Sequence, residues 1–197
     1  MADHLDHFIT DKKLNIRSRT LAIDIAETCK VSEMGNTLSR LALDKNEPYY
    51  IRVQAAYAVG RSGKISAKKK LLPLLKLSNN EDRDSDGNSS DELKGATLLA
   101  VWPGIIGINK VLSVLTPAQT NRFYGAYSSF LNSHLLKSVK TRHVVPLLKW
   151  VTNNPDSLDF IGKYGGLGED IILKAIDHID NASVAKMLAN TILEMFK

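Results

Sequence analysis

Two segments of this chain open with the same residue pair and continue alike: IRSRTLAIDIA from Ile16 to Ala26, and IRVQAAYAVG from Ile51 to Gly60. Each is followed by a short turn and a second amphipathic stretch, carrying Met34, Leu38 and Leu41 in the first case and Ile65, Leu71, Leu74 and Leu75 in the second. A unit this short cannot hide its apolar face alone and must stack against a copy of itself. The repeat therefore predicts a row of paired helices. Aligning the two Ile-Arg pairs sets the register at 35 residues and makes Arg17 the equivalent of Arg52. LKGATLLAVW, from Leu93 to Trp102, supplies a third unit with Lys94 in the arginine position, provided the polar stretch before it is counted as an insertion.

The rest of the chain also shows the three-and-four spacing of helices and almost none of the alternation of strands. Helices are predicted over Asn15–Cys29, from Ser32 as N-cap, and after Pro48. Pro73 should bend the helix that begins at Ile65. Further helices are expected over GINKVLSVL, Ala118–Leu131, Arg142–Val151, Asp170–Ile179 and Ala182–Phe196. Between Asn153 and Gly168, Pro155 and the Gly165-Gly166 pair mark the loosest connection. The expected division is residues 1–152 as helical repeats and 153–197 as a helical hairpin that continues or caps them.

The unit around Arg52 is similar to the HEAT repeat, in which an acidic or proline-containing turn precedes a Val-Arg pair and an Ala-rich helix. Here that pattern reads Glu47, Pro48, Ile51, Arg52, Ala55, Ala56, Ala58, Val59 and Gly60. The resemblance implies an all-α fold, a right-handed α-α superhelix of the HEAT or armadillo kind. The succession LALDKNEPYYIRVQAAYAVG, DELKGATLLAVWP, VLSVLTP and FYGAYSSFL to LLKWV also resembles the helical region of large bacterial NACHT-type signalling ATPases. That likeness spans roughly Leu41 to Val151 and implies a non-catalytic segment of a larger protein, which binds a protein partner or senses a signal. The family's ATPase residues do not carry over, because no GxxxxGK[ST] loop is present.

Composition narrows the remaining classes. With 44% apolar residues, 24% charged residues and a single cysteine, Cys29, the chain reads as a globular protein without a disulfide framework. No apolar run approaches the roughly eighteen residues of a membrane span, and MADHLDHF lacks a secretory pattern, so a cytoplasmic address is expected. A net charge of +5 permits contact with nucleic acid. The alternative function is thus a DNA-binding protein similar to the HEAT-type alkylpurine DNA glycosylases. The basic cluster Lys64, Lys68, Lys69, Lys70 and Lys76 reads first as a solvated helix face, since it adjoins the acidic stretch Glu81 to Glu92.

Arg52, Lys68 and Lys69 are the candidate binding residues. Asp82, Asp84, Asp86 and Asn88 match the opening of a calcium loop with Gly87 at its turn, but Leu93 stands where the closing glutamate belongs. No cofactor and no metal are implied. His4, His7, His134, His143 and His178 are dispersed, and no serine or cysteine sits in a nucleophile elbow. Trp102 and Trp150, and the stripe Phe123, Tyr124, Tyr127 and Phe130, are read as packing, and Arg17 and Arg52 as a structural ladder bonded to neighbouring carbonyls or acids.

Overall fold

The computed structural model describes residues 2–77, 91–118, 125–159, 162 and 164–195, and among these the chain is all-helical. It divides into two compact units, Met1–Val101 and Trp102–Lys197.

In the first unit, α1 (Ala2–Thr10) leads into α2 (Ile16–Thr28), whose start is fixed by Asn15: its side chain accepts the Ser18 N–H at 2.8 Å. Ser32–Met34 makes a single 3₁₀ turn before α3 (Gly35–Leu43), so Ser32 opens that turn and does not cap the helix. α4 (Tyr49–Ser62) begins directly after Pro48. α5 (Ile65–Lys70) stops short, and Leu72–Lys76 continues as a 3₁₀ turn containing Pro73, whose ring and missing N–H bar further α-helix. α6 (Glu92–Val101) closes the unit.

These helices form two layers. In one, α2 lies beside α4 and α4 beside α6; in the other, α3 packs on α5. Small residues let the backbones come close. A Cβ on Gly35 would lie 3.1 Å from Ala67 Cβ, and one on Gly60 would lie 3.3 Å from Ala100 Cβ. Ile23, Ala26, Ile51, Ala55, Ala56, Val59, Leu93, Leu98 and Val101 fill the space between the layers.

One interaction recurs with the repeat. Arg19 Nε donates to the Ile9 carbonyl at 2.9 Å, and Arg52 Nε donates to the Ala42 carbonyl at 3.2 Å, each reaching back ten residues to the end of the preceding helix. The structural register is therefore 33 residues, from Arg19 to Arg52, and the arginine equivalent to Arg52 is Arg19. Arg17, two residues earlier, is exposed. A slip of two residues turns a helix by about 200°, enough to move a side chain from core to solvent. Lys94 in the third unit is buried, as Arg52 is.

Arg19 also holds Glu47 of the following turn, with Nη2 2.7 Å from Oε2, and both side chains are almost fully buried. Removing one partner strands the other charge. Glu47→Gln should therefore lower the stability of this unit by about 3–5 kcal/mol. The double change Arg19→Met with Glu47→Leu should recover most of that loss, as read by urea unfolding.

In the second unit, α7 (Ile108–Leu112) and α10 (Thr141–Asn153) pack together, and α10 also carries α11 (Leu167–Ile176) and α12 (Ala182–Met195). Between them, α8 (Ala126–Ser129) passes through a π-helical turn, Phe130–His134, into the short α9 (Leu135–Lys137). α11 and α12 have their core in α10: Val144, Leu147, Leu148 and Val151 are buried with Leu167, Ile171, Ala175, Val184 and Leu188. Thr152 Oγ1 donates to Thr191 Oγ1 at 3.2 Å, joining α10 to α12.

Among the described residues of the connection at 153–168, Pro155–Leu158 forms a 3₁₀ turn. Its Ser157 is wholly buried under Gly168, where an added Cβ would meet the Ser157 side chain and lie 2.9 Å from its carbonyl carbon. Gly168→Ala should cost about 1–3 kcal/mol through forced displacement of the turn, measured as a lowered unfolding midpoint of this unit.

Candidate functional site

A cavity of about 710 Å³ lies in the first unit where the Asp44–Pro48 turn meets α4 and the start of α6. Ile16, Tyr50 and Val53 supply apolar wall, and Arg52, Glu47 and Glu92 supply charge.

The repeat positions these charges. Because Pro48 ends the turn and α4 starts at Tyr49, Arg52 falls one turn into α4, where it can reach the end of α3. Glu47, one residue before the proline, points back to Arg19 and receives Lys12 Nζ at 3.3 Å. Lys12 also lies 3.4 Å from Asp44, and the Glu47 hydrogen bond is the main reason its pKa is raised. Asp44 accepts the Asn46 backbone N–H at 2.9 Å, which is the leading cause of its lowered pKa. The turn is thus held by its own acids, and a lysine and an arginine from the preceding unit neutralise them.

On the other wall, the Tyr57 hydroxyl donates to Glu92 at 2.9 Å and so joins α4 to α6. Burial first, and then the Glu92 charge, push the Tyr57 pKa far up, so the phenol stays a donor. The Arg61 guanidinium lies 5.2 Å from the centre of the Tyr57 ring and pairs with Glu27 at 2.8 Å. Glu27, Arg61, Tyr57 and Glu92 therefore form a continuous polar row across α2, α4 and α6.

Of the residues singled out from sequence, Arg52 lines the cavity and is only 6% exposed. Lys68 and Lys69 lie apart from it on α5, in the other layer: Lys68 is half-buried and Lys69 exposed. Their neighbour Lys70 donates to Asn36 at 2.9 Å. The structure does not bring arginine and lysines into one site. Asp82, Asp84, Asp86 and Asn88 lie outside the described residues, as do Phe123 and Tyr124. Among the described residues, no group of three or more His, Cys, Asp or Glu is placed to hold a metal ion, and no helix is long and apolar enough to cross a membrane.

Sequence reasoning missed Arg19 and the pairing role of Glu47. The signal was available in the distance from each arginine to the end of the helix before it, which is ten residues in both units. The Tyr57–Glu92 contact had no such signal, since it bridges the polar stretch that interrupts the repeat.

In the second unit both tryptophans are buried, as packing requires. Trp102 Nε1 donates to the Leu135 carbonyl at 3.1 Å, and the Trp150 ring meets Tyr164 edge-on at 5.2 Å. Tyr127 and Phe130 are fully buried. A smaller cavity of about 310 Å³ lies between Trp102, Pro103, Lys140, Arg142 and His143. His143 Nδ1 accepts the Lys140 N–H at 3.2 Å, its Nε2 lies 3.1 Å from Arg142 Nε, and its ring packs 5.6 Å from that of Trp102. Burial, reinforced by the charges of Arg142 and Lys140, holds its pKa below the ordinary 6.5.

A histidine depressed in this way stabilises the fold fully above its unfolded pKa, and that contribution is lost as pH falls through the folded value, because the unfolded ring takes up a proton that the folded ring refuses. The unfolding midpoint of the second unit should therefore drop between about pH 7.5 and pH 5. In His143→Gln, whose amide can still accept the Lys140 N–H, the drop should be smaller, as followed by thermal unfolding across that range. Comparison of the chain with protein-family models, with curated proteins and with solved structures finds no match.

Proposed function

We propose that this chain is a HEAT-like helical-repeat segment that binds a protein partner and carries no catalytic machinery. The observation that carries this reading is the duplicated arginine contact, Arg19 to Ile9 and Arg52 to Ala42, at the same offset in two adjacent units of two layers. A device that repeats with the unit is what stacking of equivalent units requires, and stacked repeats present extended surfaces in place of a catalytic cleft. On this reading the stack follows the right-handed α-α superhelix implied by the HEAT resemblance, and the parent protein is a NACHT-type signalling ATPase, on the likeness of the phrases between Leu41 and Val151.

A protein partner is favoured over nucleic acid by the character of the exposed surface. Phe8, Leu21 and Ile25 stand out of α1 and α2 around an apolar groove, and Leu173, Ile176 and Leu193 stand out of α11 and α12. Contiguous apolar surface is covered by proteins more readily than by phosphates. The alternative, a DNA-binding HEAT protein, draws on Lys64, Lys68, Lys69 and Lys70. That cluster lies apart from Arg52 on another helix, and both tryptophans are buried.

Fluorescence anisotropy with a labelled DNA duplex separates the two. Partner binding through apolar and shape contacts predicts only weak duplex association at about 50 mM salt that vanishes by about 200 mM. Selection from a display library of helical peptides should in the same buffer yield saturable binders. Submicromolar duplex binding that survives the higher salt would overturn the proposal in favour of the DNA reading.

A further inference from the structure

The cavity of about 310 Å³ in the second unit is walled by Trp102, Pro103, Ile106, Lys140, Arg142 and His143, and none of the described residues that line it is acidic. Lys140 stands immediately before α10, and Arg142 and His143 lie in its first turn. The free N–H groups at a helix start are equivalent to about half a positive charge, which ordinarily draws acids to the first turn. Here that turn holds no acid. Lys140 and Arg142 are both exposed, and neither forms an ion pair among the described residues. Two cationic side chains and a helix start therefore meet at one cavity with no carboxylate among its described lining to offset them.

His143 adds a second and independent mark. Only 8% of it is exposed, and each of its ring nitrogens faces a donor: Nδ1 faces the Lys140 N–H at 3.2 Å, and Nε2 faces the Arg142 Nε–H at 3.1 Å. A neutral imidazole has one lone pair and its cation has none, so no ordinary protonation state of the ring accepts both. The Lys140 N–H is fixed by the backbone, which leaves the ring proton on Nε2, against the N–H of Arg142. Donor meets donor on the wall of the cavity. An acceptor placed there would take both hydrogens, since the exposed Arg142 side chain is free to turn toward it, and a donor that gains an acceptor recovers the cost of lacking one.

We propose that this cavity binds a phosphate dianion through Arg142, Lys140 and the Nε2–H of His143. Charge selects the class: two side-chain cations and a helix start match a doubly charged group, whereas a carboxylate brings a single charge. Free phosphate and a phosphorylated protein side chain both carry such a group, and Trp102, Pro103 and Ile106 offer apolar wall to the carbon atoms of the latter. The site lies wholly within the second unit and does not depend on the protein-partner reading.

The test uses the full chain labelled with ¹⁵N at about pH 7.5, where a phosphate monoester is mostly doubly charged. The probes are inorganic phosphate, acetyl-Ala-phosphoserine-Ala-amide, the same peptide unphosphorylated, and acetate. Phosphate and the phosphopeptide should give saturable amide shifts centred on Gly107, Lys140, Arg142 and His143, about tenfold tighter than acetate, and the unphosphorylated peptide should give none. Long-range ¹⁵N signals of the His143 ring should report the proton on Nε2 and move in the same titration. Arg142→Gln should weaken phosphate about tenfold, whereas Lys149→Gln, an equal loss of charge from an exposed position of α10, should change it less than about twofold.

Equal losses in Arg142→Gln and Lys149→Gln, acetate as tight as phosphate, or shifts that fail to saturate would each overturn the site. Duplex DNA that moves the same amides at lower concentration than either phosphate probe would overturn it in favour of phosphodiesters. Tighter binding of the phosphopeptide than of phosphate supports the site with a protein side chain as its source, and the reverse order supports it with the free ion.

Discussion

The first unit depends on one buried side chain. Arg19 ties the end of α1 to α2 through the Ile9 carbonyl and ties α2 to the turn before α4 through Glu47, so three elements are set by a single guanidinium. Burying an ion pair gives little net stability, because desolvation offsets much of the attraction. What the pair fixes is register. A helix packed only by alanine, valine and isoleucine can slide with modest loss, whereas a fork-shaped donor with one carbonyl and one carboxylate in reach has few alternative placements.

The same logic makes the second arginine informative. Arg52 repeats the carbonyl contact and lacks the acid, and the residues around it leave a cavity where the first unit has a closed ion pair. Two units that share the arginine–carbonyl contact thus differ in one side-chain partner.

The second unit is organised otherwise. α10 is its shared core, with Pro146 inside it, and three helices take their buried surface from it. No arginine staple recurs there among the described residues. Its polar interior is a set of individual contacts: Thr152 with Thr191, Trp102 with the Leu135 carbonyl, and His143 at the first turn of α10. Charge gathers at that turn, where Arg142 and Lys140 add to the effect of burial in lowering the pKa of the ring.

By itself the sequence determined that the chain is helical, where most helices begin, and which residues are apolar enough to be buried. These follow from spacing and from Asn15 and Pro48 at helix starts, which act within a few residues, whereas Pro73, expected to bend a helix, lies in a 3₁₀ turn after α5 has ended. It also determined that a unit recurs. What the tertiary structure alone decided was the register, the division at Val101 and the membership of the cavity. Ile-Arg at Ile16 and Ile51 is the better match of letters, yet Arg19 is the better match of position, because a carbonyl ten residues back and an acid on the next turn become neighbours only when helices pack. Tyr57 and Glu92 meet for the same reason. Short-range preferences are written along the chain, whereas a contact between layers depends on the rotation and offset of two helices, and no single segment encodes either.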